Sequence, residues 1–215
     1  YVKGGSCRNV YGGGWQGDVG NHKATDANPN DTSDDILGET NVIIGVRADQ
    51  GAVPINYGFY NGVPAIQRNV YSGGEGGAVF GTANLTINNG YIGYTYDEAN
   101  KSYQENVDDE TYYVNGVYAG EGRLKDCGNV FGGGYDVRSS VDFTNVTMWG
   151  GVVRNSIHGG GEIATIGRGE VEVSGEANST RTLKNIFKPG KAQVTMYNGH
   201  VMRNVFGGGK GYNIW

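Results

Sequence analysis

Four groups of neighbouring carboxylates could support acid–base chemistry on a sugar chain: Asp34 with Asp35, Asp97 with Glu98, Asp108 to Glu110, and Glu170 with Glu172. Cleavage of a glycosidic bond by two carboxyl groups requires that they lie about 5 to 9.5 Å apart. The first three groups fall in segments that we predict to be loops, where acidic side chains are usually solvated. Glu170-Val171-Glu172-Val173 alternates and predicts a strand with its acids pointing outward. The pattern therefore favours surface acids, and we predict no catalytic residue.

Motifs for metals and cofactors are weak in this sequence. The acidic loops could offer oxygen ligands to Ca²⁺, but the nine-residue Gly-Gly-x-Gly-x-Asp repeat is absent. The Gly-Gly-Gly runs are not followed by Lys and then Ser or Thr, which a phosphate-binding loop requires. The histidines His22, His158 and His200 are scattered. We interpret the glycine runs as tight corners and predict neither a metal site nor a cofactor.

The two cysteines stand at equivalent positions of a repeated phrase. Cys7 and Cys127 each precede a copy, and Gln67 holds that position in the copy between them. Because stacked strands lie about 4.8 Å apart, the two sulfur atoms would be separated by at least about 9.6 Å. This exceeds the reach of a disulfide, and we predict two free thiols.

Three stretches interrupt the repeat, which we place at residues 17–38, 47–64 and 94–112, and aromatic residues gather in and just after the last two. Tyrosine offers a rigid apolar face and a polar tip, which suits molecular recognition. Binding and catalytic residues are also found disproportionately on loops that a regular scaffold positions. The candidate binding residues are Tyr57, Phe59, Tyr60, Tyr94, Tyr96, Tyr103, Tyr112 and Tyr113.

Composition narrows the choice of partner. The formal net charge of −5 argues against nucleic acid, which requires a basic surface. No run of about 18 apolar residues occurs, so we predict no membrane insertion. Glycine supplies 40 of the 215 residues and proline only 4. Glycine in such numbers is costly unless many positions require tight turns or close backbone approach.

The strongest signal is a phrase of the type Arg-Asn-Val-aromatic-Gly-Gly-Gly, which we call the first phrase. It occurs at Arg8–Gly14, Arg68–Gly74, Gly128–Gly134 and Arg203–Gly209, with divergent copies at Asn155–Gly161 and Lys184–Gly190 and a partial one at Val117–Gly120. A second phrase, of the type Thr-Asn-Val-Thr-Met, occurs at Thr40–Ile44, Ala83–Ile87, Thr144–Met148 and Ala192–Met196. Two phrases that recur in a fixed order indicate a stacked repeat.

The second phrase alternates with a period of two. One face carries Val42, Ile44, Leu85, Ile87, Val146, Met148, Val194 and Met196, and the other carries Ile43, Thr86, Thr147 and Thr195. We predict that the apolar set lines one interior and that the threonines face outward. One copy cannot bury its inner face alone, so each copy needs its neighbours.

The first phrase leaves three arrangements open. Its aliphatic and aromatic positions must point in opposite directions, and Asn lies on the aromatic side at Asn9, Asn69, Asn129, Asn185 and Asn204. The asparagines could form a buried ladder that also buries the aromatic rings, because buried amides need partners. The rings could instead form an exposed stripe. A bend at this point could bury both sets.

These patterns predict an all-β chain folded as a parallel β-helix (β-solenoid) with loop insertions. We expect one domain over residues 1–215 that belongs to a longer chain. The last copy, Asn204–Gly209, lacks a polar cap, so we expect its exposed end to pair with further copies or with another chain.

The phrases Asn-Val-Phe-Gly-Gly-Gly and Thr-Asn-Val-Thr-Met resemble those of Gly-rich repeat proteins from Bacteroides-type gut and oral bacteria. Those proteins are large, adhesin-like β-helix proteins of the cell surface or the extracellular medium. The resemblance covers most of the repeat and skips the insertions. It implies an extracellular or cell-surface location and provides no catalytic motif. The chain departs from the pattern at Ser156-Ile157-His158 and at Lys188-Pro189-Gly190.

Three functions fit this sequence. The first is a non-enzymatic surface or secreted module that binds glycans or proteins through its aromatic insertions. The second is a polysaccharide lyase or glycoside hydrolase on the same scaffold, with Asp97 or Asp109 in the site. The third is a purely structural spacer or fibre segment.

Overall fold

The computed structural model describes residues 1–22, 31–47, 63–106, 127–173 and 181–211, and the strand backbone at 113–114 and 117–118. Of residues 170–173 and 181–184 it describes the backbone alone. Every regular element within these ranges is a β-strand. No helix among the described residues has the length and apolar character needed to cross a membrane.

Four long strands form one parallel sheet, which we call the long-strand sheet. In sheet order they are β18 (Lys191–Met196), β13 (Val141–Met148), β6 (Val79–Ile87) and β3 (Gly38–Ile44). The second phrase occupies each of them, and the copies are in register: Leu85 pairs with Val42 and with Val146, which pairs with Val194. Burial alternates strictly along β6, as expected for a period-two pattern with one buried face.

Ten strands of two residues form two further parallel sheets, which we call the first and second short-strand sheets. The first contains β1 (Ser6–Cys7), β4 (Ala65–Ile66), β7 (Tyr91–Ile92), β14 (Val152–Val153) and β19 (His200–Val201). The second contains β2 (Val10–Tyr11), β5 (Val70–Tyr71), β12 (Val130–Phe131), β15 (Ile157–His158) and β20 (Val205–Phe206). The second sheet consists of first-phrase copies, aligned in parallel and in register.

Three pairs of antiparallel strands lie outside these parallel sheets. They are β8 (Tyr94–Asp97) with β9 (Ser102–Glu105), β10 (Tyr113–Val114) with β11 (Val117–Tyr118), and β16 (Gly167–Val173) with β17 (Arg181–Pro189). The predicted strand at Glu170–Val173 is confirmed as part of β16. The copies proposed at Lys184–Gly190 and Val117–Gly120 are wrong, because their strands pair antiparallel within hairpins.

The prediction of a parallel β-helix is also wrong. The described residues form three separate parallel sheets of four or five strands and three two-stranded antiparallel sheets, and they form no closed solenoid. The repeated phrases specify which copies lie side by side, but they do not specify how the chain connects one sheet to the next. Gly90, Gly151 and Gly199 adopt positive φ in the turns that follow three of the long strands. The hairpin β8–β9 follows β7, and the hairpin β16–β17 lies between β15 and β18, so both stand in connections between strands of the parallel sheets.

One hydrophobic core lies between the three parallel sheets. It contains residues of the long strands, such as Leu85, together with Ile66 and Ile92 of the first short-strand sheet and Val130 of the second. The predicted common interior is confirmed, because Val42, Leu85 and Val146 lie in this core and Val194 packs against it. Met196 departs from the expectation: it is 41% exposed on β18, a strand at the edge of its sheet.

The inner copies of the first phrase combine features of two expected arrangements: the asparagine ladder forms, and both the aliphatic and the aromatic sets are buried. Val70, Val130 and Ile157 lie in the core. The aromatic rings form a separate column, in which Tyr71 and Phe131 are buried. Neighbouring rings along the column stack with centroids 4.8 to 5.1 Å apart, and its members are Tyr11, Tyr71, Phe131, His158 and Phe206.

The asparagine ladder is confirmed for the first three copies. The Asn69 N–H donates to Asn9 Oδ1 at 3.0 Å, and the Asn129 N–H donates to Asn69 Oδ1 at 2.9 Å. The ladder continues from Asn129 Oδ1 to the N–H of Ser156, and from Ser156 Oγ to the N–H of Asn204. Each side chain thus satisfies a backbone donor of the next copy, as buried polar groups require. Asn185 lies outside it, in the hairpin strand β17.

Candidate binding site

The structure brings together three of the predicted tyrosines. Tyr94, Tyr96 and Tyr103 lie on the hairpin β8–β9, within the predicted insertion 94–112. Tyr103 stacks on Tyr91 of β7 with centroids 4.0 Å apart, and Tyr94 meets Tyr91 edge to face. Tyr57, Phe59, Tyr60 and Tyr112 lie outside the described residues, and Tyr113 is described only as backbone in β10.

The tyrosine cluster anchors the hairpin. The Tyr103 hydroxyl donates to the carbonyl of Val63 at 2.7 Å, while the Tyr103 ring lies between Tyr91 and Tyr96. Burial, and to a smaller extent the charge of Glu105, raises the pKa of the Tyr94 hydroxyl. Much of the surface of these rings is therefore buried in contacts within the chain, although each of the tyrosines remains partly exposed.

Asp97 stabilises the hairpin turn. Its carboxylate accepts hydrogen bonds from the side chain and backbone of Asn100, the N–H of Ala99 and the side chain of Gln104. These bonds, led by the one from the Asn100 side chain, lower the pKa of Asp97. Such an arrangement is a hydrogen-bonded turn in which the aspartate accepts from its own loop.

Asp35 differs from the expectation for a loop acid, because its side chain is only 1% exposed. Arg168 on β16 lies between two carboxylates: its Nη1 is 2.6 Å from Asp35 Oδ2, and its Nε and Nη2 donate to both oxygens of Asp142 on β13. Lys188 Nζ is 2.8 Å from Asp142 Oδ2 and 3.9 Å from Asp35 Oδ2. His22 Nδ1 is 2.7 Å from Asp35 Oδ1. We call these five residues the charge cluster.

The charge cluster is electrostatically paired. Burial opposes ionisation of Asp35, but hydrogen bonds from His22 and Arg168 outweigh burial and lower its pKa. Burial alone would lower the pKa of Arg168, but the two aspartates raise it above its usual value. The cluster fastens the insertion 17–38 and the hairpin β16–β17 to the long-strand sheet. Because both carboxylates are enclosed and occupied by cations, the cluster supports a structural role.

An open cleft lies on the outer face of the long-strand sheet. Its volume is about 450 Å³, within the range of small-ligand sites. It is lined by Tyr1, Ile43, Arg47, Thr86, Asn88 and Trp149. Ile43 and Thr86 belong to the predicted outward set, and both are partly exposed as predicted.

Trp149 is the centre of the aromatic surface beside this cleft. The Arg47 guanidinium lies 3.8 Å from the centroid of the Trp149 ring, which stacks on Tyr197 with centroids 3.9 Å apart. Tyr197 is 61% exposed. Trp149 and Tyr197 each follow a copy of the second phrase, at Met148 and Met196, which are paired neighbours. The stacked copies therefore place the two rings together.

Asn88 forms a polar part of the cleft wall. Its side-chain Nδ2 donates to the carbonyl of Gly45 at 3.2 Å, and its Oδ1 accepts no hydrogen bond from the described residues. A buried amide oxygen without a donor is uncommon. The cleft thus combines a guanidinium, an amide, a threonine and aromatic rings.

This cleft was not predicted from the sequence. A signal was present, since an aromatic residue follows the second phrase at Trp149 and again at Tyr197. The predicted binding residues lie instead in and beside the tyrosine-rich insertions. Arg47 could not be placed beside Trp149 from local spacing.

The cysteines are free, as predicted. Cys7 is half-buried, and burial raises the pKa of its thiol. Cys127 is buried, and its Sγ lies 3.2 Å from the carbonyl of Asn106 and 2.9 Å from Arg154 Nη1. Neither cysteine belongs to a group of three or more metal-ligating side chains among the described residues.

Comparisons with models of protein families, with curated proteins and with solved structures gave no significant match.

Proposed function

We propose that this chain is a non-enzymatic recognition module that binds glycans in the cleft formed by Arg47, Asn88 and Trp149. One observation carries the proposal: a cation, an amide and the aromatic side chains of Tyr1 and Trp149 line one open cleft of about 450 Å³. Aromatic rings offer apolar faces to the C–H surface of sugars, and amides and hydroxyls offer hydrogen bonds to sugar hydroxyls.

The arginine favours an acidic sugar. A guanidinium presents a planar fork of donors that matches a carboxylate. Arg47 stands beside the cleft in a chain with a net charge of −5, so an acidic glycan would need this local positive charge to bind. We therefore propose glycans that carry carboxylate or sulfate groups.

The geometry gives less support to catalysis. Asp97 is committed to a hairpin turn, and Asp35 is enclosed in the charge cluster. Asp108 to Glu110 lie outside the described residues. An extracellular or cell-surface location is part of the proposal, and it rests on the resemblance of the repeat phrases.

A glycan array with matched variants tests the proposal. We expect the folded chain to bind a subset of acidic glycans, and Trp149→Ala to abolish that binding. Trp15→Ala is the matched control, because Trp15 is 73% exposed and does not line the cleft. An array that stays blank with folded protein would contradict the proposal and would favour the structural spacer. Release of shortened sugar products would favour the lyase or hydrolase.

A further inference from the structure

The Trp149 ring is covered on both of its faces. The Tyr197 ring lies almost parallel to it, with centroids 3.9 Å apart and an interplanar angle of 10°. The central carbon of the Arg47 guanidinium lies 3.8 Å from the centroid of the Trp149 ring. Two groups in van der Waals contact with the same ring centre cannot share one face, because they would occupy the same space. Arg47 and Tyr197 therefore cover opposite faces of Trp149.

The order of the strands agrees with this arrangement and shows which face the cleft reaches. Tyr197 follows β18, Trp149 follows β13 and Arg47 lies beyond the end of β3, in a sheet of the order β18, β13, β6, β3. The cleft lies on the side of β6 and β3, because Ile43 of β3 and Thr86 of β6 line it. A molecule in the cleft therefore faces the side of Trp149 that Arg47 covers.

The layer beside this face holds one flat group. The residue in register with Trp149 on β6 is Asn88, because Ile87 pairs with Met148. Asn88 has no ring, and neighbouring strands lie about 4.8 Å apart, which leaves space for one flat group in contact with the tryptophan. The Arg47 guanidinium occupies that space. A sugar ring that stacks on Trp149 from the cleft must take the same place.

We propose that Arg47 selects among glycans by covering Trp149: an acidic sugar draws the guanidinium off the ring, and a neutral sugar does not. This selection rests on the proposed binding of glycans in the cleft. A carboxylate or sulfate matches the donors of a guanidinium, and such charge-assisted hydrogen bonds are about twice as strong as neutral ones. An acidic sugar thus replaces the contact that Arg47 loses, whereas a neutral sugar provides no charge in exchange.

The covering contact weakens the binding of every sugar that must displace it. A guanidinium over a tryptophan ring at a partly exposed site stabilises the covered state by an amount equivalent to about fivefold in affinity. Arg47→Ala leaves this face of Trp149 open. Neutral sugars should therefore bind Arg47→Ala about fivefold more tightly than the unmodified chain, while acidic sugars lose their charged partner.

An array of oligouronates and sulfated oligosaccharides, printed beside their methyl-esterified and desulfated forms, compares the two classes on the same sugar backbones. We expect the unmodified chain to bind only the acidic forms and Arg47→Ala to bind both forms alike. Arg138→Met controls for the loss of one positive charge, because the Arg138 side chain is 67% exposed and does not line the cleft. It should bind like the unmodified chain.

A double variant separates uncovering of the ring from a general change of charge. The gain in binding of neutral forms by Arg47→Ala depends on the open Trp149 face, so it should disappear in Arg47→Ala/Trp149→Ala. Calorimetric titration of one neutral oligosaccharide from the array into the three chains measures this gain and its loss. A gain that persists in the double variant would show that Arg47 does not act by covering Trp149.

Two further results would overturn this selection: neutral forms bound no better by Arg47→Ala than by the unmodified chain, or neutral and acidic forms bound equally by the unmodified chain. Failure of the proposed function gives a different pattern. An unmodified chain that binds no acidic form contradicts recognition of acidic glycans, but binding of neutral forms by Arg47→Ala would still support the covering role. A blank array with both chains overturns both.

Discussion

The Asp35 carboxylate and the Arg168 guanidinium lie 133 residues apart in the chain and are joined by an ion pair of 2.6 Å. The pair connects the insertion 17–38 to the hairpin β16–β17, and Asp142 of the long-strand sheet completes the contact. Two segments that interrupt the repeat are therefore fastened to each other and to the regular part of the fold.

Arg168→Met should destabilise the chain strongly. Removing the cation leaves Asp35 and Asp142 buried without their main partner, and loss of one member of a buried pair costs about 3 kcal/mol or more. We expect urea denaturation to show a loss of that size. Arg138→Met is the control, because the Arg138 side chain is 67% exposed and surface pairs contribute roughly 0 to 1 kcal/mol. Equal losses in both variants would show that the charge cluster has no special role.

The free energy of unfolding should fall at acidic pH, because Asp35 becomes protonated there. Folding lowers the pKa of Asp35, so its ionised form stabilises the folded state at pH values above the ordinary pKa of Asp, about 3.9. This contribution is lost as the pH falls from there through the folded-state pKa.

Urea denaturation between about pH 5 and about pH 2 measures the effect. Asp35→Asn should show a smaller fall in the free energy of unfolding over this range than the unmodified chain. Asp34→Asn controls for the loss of one negative charge on an exposed neighbour. A steeper or unchanged fall in Asp35→Asn would mean that the hydrogen bonds of Asp35 do not favour its ionised form.

The sequence predicted the contacts that repeat and missed those that occur once. Val42, Leu85, Val146 and Val194 could be aligned because a period of two and a fixed phrase determine which side chains stack. The path between sheets was not predictable in the same way, because the Gly turns after β6 and β13 look alike whether or not the strands close into a coil. The closed β-helix was therefore wrong although the register was right.

The segment Lys184–Gly190 was wrongly predicted to be a copy of the first phrase, because its sequence is locally similar to that phrase. Asn185-Ile186-Phe187 matches the first phrase, but the chain pairs this strand with β16. Ile186 is consequently 57% exposed, where a stacked copy would bury it. The charge cluster and the cleft were missed for a related reason: Asp35 and Arg47 come from segments without a repeat, so no pattern indicates their partners.

Substitution of the middle glycine in an inner copy of the first phrase should lower the free energy of unfolding far more than substitution of Gly208, where a Cβ would meet no atom within 4 Å. At Gly160 a Cβ would lie 2.5 Å from the backbone N of Gly209, a contact that cannot relax without moving a neighbouring strand. We expect Gly160→Ala to cost about 3 kcal/mol, at the upper end of the range for overpacking. Gly208→Ala, measured at micromolar concentration, should unfold like the unmodified chain. Similar stabilities for the two variants would contradict the in-register stacking of the copies.

The most direct test of glycan recognition is calorimetric titration of an acidic oligosaccharide, chosen from the array, into the unmodified chain and three variants. We predict that Trp149→Ala and Arg47→Gln each weaken binding at least about tenfold, equivalent to about 1.4 kcal/mol. Trp15→Ala should bind like the unmodified chain. Unchanged affinity in both cleft variants, with the folded state verified by circular dichroism, would show that Arg47 and Trp149 do not form the binding site.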